Sequence, residues 1–159
     1  MVLADLDKLT EQMVTMIRYS HRSKDVRIES IRSRGLPRVC VEVLPVQQAI
    51  LNLLLNAVDA VQAGSAEKVV TVRRSTCDGW VNVMVIDYGG GMTRSEAGKA
   101  FELFYTTKPP AKGTGLGLTI SRGLVERQGG QIVLHSLPGF GMIAKILLDL
   151  PAREWVSHP

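Results

Sequence analysis

The sequence predicts a two-layer α/β sandwich, with one mixed, mostly antiparallel sheet and helices on one of its faces. Three observations carry this. Apolar residues recur at helical spacing in separate segments, strand-like runs come in pairs between them, and two pairs flank the tight-turn dipeptides Asp78-Gly79 and Pro138-Gly139. Paired strands between helices suit a sheet with helices segregated to one side, whereas a doubly wound parallel fold alternates strand and helix strictly.

Residues 1–19 read as a leading amphipathic helix. Leu6, Leu9, Met13, Met16 and Ile17 share one side, and Asp7, Lys8, Glu11 and Gln12 the other. Short strands at 26–30 and 38–43 flank the turn-like Arg34-Gly35-Leu36-Pro37. Pro45 opens a long helix through 62, with Gly64 as its stop. Strands 68–74 and 80–87 pair across Asp78-Gly79, and a glycine-rich turn covers 87–92. A short helical piece at 94–104 leads into 106–115, rich in Gly, Pro, Lys and Thr. Helix 116–128 ends at Gly129-Gly130, and strands 131–137 and 142–150 form the second hairpin. The tail 152–159 lacks periodicity and is expected to fray. With no repeat and no linker, 1–151 reads as one domain.

Composition narrows the function. A chain of 159 residues, 45% hydrophobic and 21% charged, is neither disordered nor of low complexity. On folding it buries roughly 69% of its surface, enough for a core without disulfides or metal. No apolar run reaches the roughly 18 residues of a membrane span, and Asp5, Asp7 and Lys8 stand where a secretory signal is apolar. Two cysteines, Cys40 and Cys77, make neither a disulfide framework nor a zinc site, so a reducing, cytoplasmic setting is expected. A net charge of +4 leaves anionic partners open.

Three segments carry chemistry. On the 45–62 helix, Asn52, Asn56 and Asp59 fall within about 60° of one another, opposite Val46, Ile50, Leu53, Leu54, Ala57 and Val61. A carboxamide oxygen is a hard neutral ligand, suited to Mg²⁺ that already carries phosphate and water; a merely solvated face is the equal alternative. Asp87-Tyr88-Gly89-Gly90-Gly91-Met92 follows an apolar strand. There the Asp can accept from an exocyclic amine and the glycines let backbone approach a flat ring, although three glycines alone are better explained by a plain turn. The run from Lys108 through Lys112 to Leu118 is basic and glycine-rich and enters a helix, which suits a phosphate site of backbone N–H groups and lysine charge, with a flexible surface loop as the alternative.

Together, in this order, these segments resemble the GHKL nucleotide-binding family with its Bergerat fold, and most closely the ATP-binding catalytic domain of bacterial sensor histidine kinases. Asn52-Leu-Leu-Leu-Asn56-Ala-Val-Asp59-Ala is similar to the N box, 87–92 to the G1 box, Phe101-Glu-Leu-Phe-Tyr-Thr-Thr-Lys108 to the F box and 113–118 to the G2 box. The resemblance implies ATP and Mg²⁺ as cofactors, with Asn56 the metal ligand and Asp87 the acceptor of the adenine amine. It implies that Gly89, Gly91 and Met92 shape the adenine pocket, and that Lys108 and Lys112 reach the phosphates. Gly113, Thr114, Gly115, Leu116, Gly117 and Leu118 would line the phosphates, with 106–115 as the lid and Phe101 and Phe104 anchoring its hinge. Asp59, Phe104 and Thr107 would complete the nucleotide's surroundings, and Asn52, Asn56 and Lys108 would carry the catalytic work.

There are departures: Tyr88, Met92 and Leu103 stand where the family commonly has Asn, Ile and Pro. The phosphorylated histidine of such kinases lies on a separate dimerising helical hairpin. Here His21 sits in a polar stretch without the acidic neighbour of that motif, His135 in a strand and His158 in the tail. The expected partners are therefore ATP or ADP, a histidine-bearing dimerisation domain of the same parent kinase and a response regulator. This chain itself is expected to be monomeric and not to bind nucleic acid. Two relatives of the same fold are alternatives: a serine kinase of the anti-sigma type and a GHL-type ATPase module. The ATPase uses a Glu at the position of Asn52, which cannot act as a general base. The basic run Arg18, Arg22, Lys24, Arg27, Arg32, Arg34, Arg38 lacks interleaved aromatics apart from Tyr19, so it makes no stacking platform for a single strand.

Overall fold

Side chains that alternate along strands and recur every third or fourth residue along helices meet here in one apolar layer. The computed structural model describes residues 1–109 and 113–151. In chain order these form β1 (Val2–Ala4), α1 (Leu6–Arg18), β2 (Arg27–Ile31), β3 (Val39–Val41), α2 (Val43–Gln62), β4 (Val69–Cys77), β5 (Trp80–Asp87), α3 (Arg94–Lys99), α4 (Gly117–Glu126), β6 (Gln131–Leu137) and β7 (Gly141–Asp149). Five strands make one sheet in the order β2-β4-β5-β7-β6. β2 runs parallel to β4, and every other neighbouring pair is antiparallel. The inward residues Val70, Val72, Val81, Val83, Val85, Ala144, Ile146 and Leu148 are packed under α1, α2 and Val125 of α4. The mixed two-layer sandwich is thus present.

Four local expectations need correction. The opening segment is not all helix: β1 precedes α1, and Asp5 starts the helix by accepting from the Lys8 N–H at 3.1 Å. The strands at 26–30 and 38–43 do not pair with each other. β2 joins β4, while β3 pairs with β1 in a separate two-stranded sheet, Val2 opposite Val41 and Ala4 opposite Val39. The long helix begins at Val43, so Pro45 sits inside the first turn, where a missing N–H costs nothing. α3 stops at Lys99 rather than 104, with Ala100 as its cap, and the left-handed Phe104 (φ 63) could not have belonged to a right-handed helix. The 152–159 tail lies outside the described residues.

The turns behave as their residues require. Asp78 (φ 49) and Gly79 (φ 84) are both left-handed, as a two-residue hairpin that matches strand twist demands. The basic run is dispersed over internal partners. Arg18 donates to the Ile28 carbonyl at 2.8 Å, Arg27 pairs with Glu29 at 3.1 Å and Arg32 with Asp7 at 2.6 Å.

Alternation along β4 brings one charged residue to the inner face. Arg74 is 2% exposed, and its Nε and Nη2 donate to Asp7 Oδ1 at 2.9 and 2.7 Å. Its Nη1 donates to Ser30 Oγ at 2.6 Å, Nη2 donates to Glu11 as well, and Ser30 also donates to Glu11. The network joins α1, β2 and β4. Partial burial pushes both carboxyls up, but hydrogen bonds more than offset it, from Arg32 and Arg74 on Asp7 and from Ser30 and Arg74 on Glu11. Both sit below their ordinary values of 3.8 and 4.5. The stability they contribute is present above those values and is lost as pH falls through the lowered ones. Arg74→Ala should cost about 3 kcal/mol in urea unfolding at neutral pH, since Glu11 loses its cation and Asp7 keeps only the exposed Arg32. It should also flatten the acid limb of the stability–pH curve; an unchanged acid limb would contradict the network.

Candidate functional site

The site forms where the C-terminal end of β5 meets the middle of α2. Strand alternation puts Asp87 on the inner face, in line with Val81, Val83 and Val85, so its carboxylate is buried to 3% exposure. The Gly89 N–H donates to Asp87 Oδ1 at 3.0 Å, and no cation pairs with Asp87 among the described residues. Burial raises its pKa above the ordinary 3.8, against the lowering effect of backbone N–H groups from Gly89 and Met142. A buried carboxylate without a cation is a strong acceptor awaiting a donor.

The turn after Asp87 is held by backbone-to-backbone packing. A Cβ on Gly89 would stand 2.8 Å from the Ala60 carbonyl oxygen, so the turn lies directly against α2. Gly91 (φ 66) lies against the Leu137 carbonyl, and Gly141 (φ 119) against the Asp87 carbonyl; neither has room for a side chain. The Met92 N–H donates to Ser136 Oγ at 2.7 Å, Ser136 Oγ donates to the Gly141 carbonyl at 3.0 Å, and the Gly139 N–H to the Gly90 carbonyl at 2.7 Å. The β6–β7 turn is therefore a second wall of this pocket. Ser136 and Gly141 were not legible as site residues, because their partners lie about fifty positions upstream.

The α2 stripe divides. Asn52 Nδ2 donates to Ser121 Oγ at 2.9 Å, which ties α2 to the second turn of α4. Asn56 and Asp59 instead share a cation: Lys108 Nζ donates to Asn56 Oδ1 at 3.1 Å and to Asp59 Oδ2 at 2.7 Å. Asp59 also accepts from Arg22 Nη2 at 3.1 and 3.0 Å. Two oxygens of a carboxamide and a carboxylate that already gather a cation suit a hard metal ion whose other ligands come from phosphate and water.

Phe104 and Gly115 meet backbone to backbone. The Phe104 N–H donates to the Gly115 carbonyl at 3.0 Å, and Gly115 (φ 68) packs so closely on the Phe104 backbone that a Cβ would collide with it. Phe104 is 72% exposed, so it is no core aromatic; Phe101 lies under the Arg122 guanidinium at 5.2 Å. Thr106 Oγ1 accepts from the Lys108 N–H at 3.0 Å, while Thr107 is exposed. Thr114 Oγ1 accepts from the Leu116 N–H at 3.3 Å, Gly117 begins α4 and Leu118 packs on the core. Lys112 lies outside the described residues.

Comparison with known proteins places this geometry. Residues 41–152 match the family model described as histidine kinase-, DNA gyrase B- and HSP90-like ATPase. The sensor histidine kinase ZraS of Klebsiella oxytoca is 32% identical over 151 residues, covering 94% of this chain and 32% of the relative. The chain thus spans about a third of the length of such relatives. A mycobacterial sensor histidine kinase, MprB, superposes with a TM-score of 0.77 at 25% identity, covering 93% of this chain and 96% of that one. Full-length ShkA, solved in complex with AMPPNP, gives 0.78 at 26% identity, covering 95% of this chain and 32% of its own.

The buried charge of Asp87 has a measurable cost. Asp87→Asn should raise the melting temperature of the ligand-free protein at about pH 7, and the gain should vanish near pH 3.5. The sign follows from the raised folded pKa: the penalty is full above it and absent once the carboxyl is protonated in both folded and unfolded states. Parallel melting curves for the two proteins at both pH values would contradict it.

Proposed function

The chain belongs to the histidine kinase-, DNA gyrase B- and HSP90-like ATPase family, as an ATP-binding catalytic domain of the sensor histidine kinase kind, and we propose that it passes the γ-phosphate of ATP to a histidine on a dimerisation domain outside this chain. From there the phosphate would reach an aspartate of a response regulator, in the cytoplasm. One observation carries the reading. Asp87, a buried carboxylate that pairs with no cation among the described residues, precedes a turn whose Gly89 lies against Ala60, next in sequence to Asp59 of the cation-gathering pair Asn56 and Asp59.

In this reading Asp87 accepts the adenine amine, and Gly89, Gly91 and Met92 form the ring's bed. Asn56, with Asp59 nearby, would hold Mg²⁺, which would offset the charge of the phosphates. Lys108 and Lys112 neutralise the outer phosphates, and the backbone of Gly113, Thr114, Gly115, Leu116, Gly117 and Leu118 lines them at the start of α4. Phe104 and Thr107 flank the entrance. Asn52 carries no base and is already hydrogen-bonded to Ser121, so no side chain there takes a proton from water. The domain positions ATP and stabilises charge while the nucleophile arrives from outside. That favours a kinase over the ATPase alternative.

Two experiments test this. Asp87→Asn should weaken Mg²⁺–ADP binding in calorimetry by roughly 1.5–3 kcal/mol, whereas Asn56→Ala should remove the dependence on Mg²⁺. Wild-type behaviour in either would dislodge that assignment. Incubated alone with γ-labelled ATP, the chain should stay unlabelled. With a dimerising phospho-acceptor domain of the parent protein it should transfer label, acid-labile and alkali-stable as a phosphoramidate is. Label on serine would favour the serine-kinase alternative.

A further inference from the structure

The nucleotide reading leaves one residue of the α2 cluster without a role. Arg22 lies in the single 3₁₀ turn His21–Ser23, outside the 41–152 segment that matches the family. Gln62 Nε2 donates to its carbonyl at 2.6 Å, and its Nη2 grips both oxygens of Asp59. The same carboxylate holds Lys108 Nζ at 2.7 Å, and Lys108 also donates to Asn56 Oδ1 at 3.1 Å. Four side chains from three parts of the sequence thus form one connected row, Arg22 to Asp59 to Lys108 to Asn56.

We propose that Arg22 and Asp59 are a positioning pair for Lys108. They rest its ammonium against Asn56 in the nucleotide-free protein, so that Mg²⁺ and its nucleotide enter by exchanging one cation for another, and Lys108 passes to the phosphates. The inference rests on the nucleotide reading above and names what the incoming metal displaces. A carboxylate shared by two cations holds each less firmly than it would hold one. Arg22 therefore keeps Lys108 releasable, and without Arg22 the whole charge of Asp59 falls on the ammonium. The side chains of Arg22 and Lys108 are 52% and 30% exposed, so water and salt screen the effect and keep it modest.

A double-mutant cycle on Mg²⁺–ADP binding tests it. Arg22→Gln should weaken binding about three- to fivefold in the wild-type background and change nothing in an Asp59→Asn background. Arg22→Lys, which keeps the charge, should bind like wild type. In the nucleotide-free protein, acetylation of Lys108 by acetic anhydride, followed by mass spectrometry, should slow in Arg22→Gln and quicken in Asp59→Asn. Equal losses in both backgrounds, no loss from Arg22→Gln, or unaltered acetylation in both variants would overturn the pair's role. A wild-type chain that fails to bind Mg²⁺–ADP at all would instead refute the nucleotide reading.

Discussion

The rotation of α2 about its own axis is the constraint on which the site depends. Val46, Ala49, Ile50, Leu53, Leu54, Ala57, Val58 and Val61 are all buried, on a wide arc turned to the sheet and the neighbouring helices. At roughly 1.5–3 kcal/mol for each large side chain, that burial outweighs any single polar contact on the rest of the helix. A slip of one residue, about 100°, would turn Asn56 and Asp59 into the core and apolar groups into water. The helix therefore has one setting, and in it Asn56 and Asp59 face Lys108 while the Ala60 carbonyl seats Gly89. Packing fixes the chemistry; the polar groups take the places left to them.

The two ends of the site differ in stiffness. Around Asp87 the turn is locked between α2 and the β6–β7 turn by contacts that exclude side chains and by hydrogen bonds through Ser136. That rigidity explains how a carboxylate can stay buried without a cation, because no rearrangement is available to relieve it. Around Lys108 the contacts are ion pairs of half-exposed side chains, which rearrange at little cost. A flat ring is thus met by a preset bed, and a charged tail by groups that can change partners.

Much of this was legible in one dimension, and the remainder fails for identifiable reasons. The 45–62 pattern gives α2 with its polar stripe, and an apolar strand ending in Asp87 before three glycines gives the pocket. A three-residue strand such as β1 is too short to show a period, so the β1–β3 pairing stays hidden. Arg74 reads as a solvated residue in an ordinary strand, because its partners Asp7 and Glu11 lie more than sixty positions away. The division of the α2 stripe is likewise decided by neighbours: Ser121 claims Asn52, and Arg22 and Lys108 claim Asp59. Helical angle places side chains on a face but says nothing of what waits opposite.

The parallel strand β2 has an effect on solution behaviour that comes from its position at one border of the sheet. Its outer side is a border of the sheet, the usual template on which one molecule extends the sheet of another, and Arg18 already covers the Ile28 carbonyl of this strand. Here that border is only five residues long; its exposed positions are Arg27 and Glu29, paired at 3.1 Å, and the terminal Ile31. An incoming strand would have to desolvate this pair while gaining few hydrogen bonds. Charge that resembles a nucleic-acid footprint in one dimension serves, in three, to guard a sheet border against self-templated aggregation.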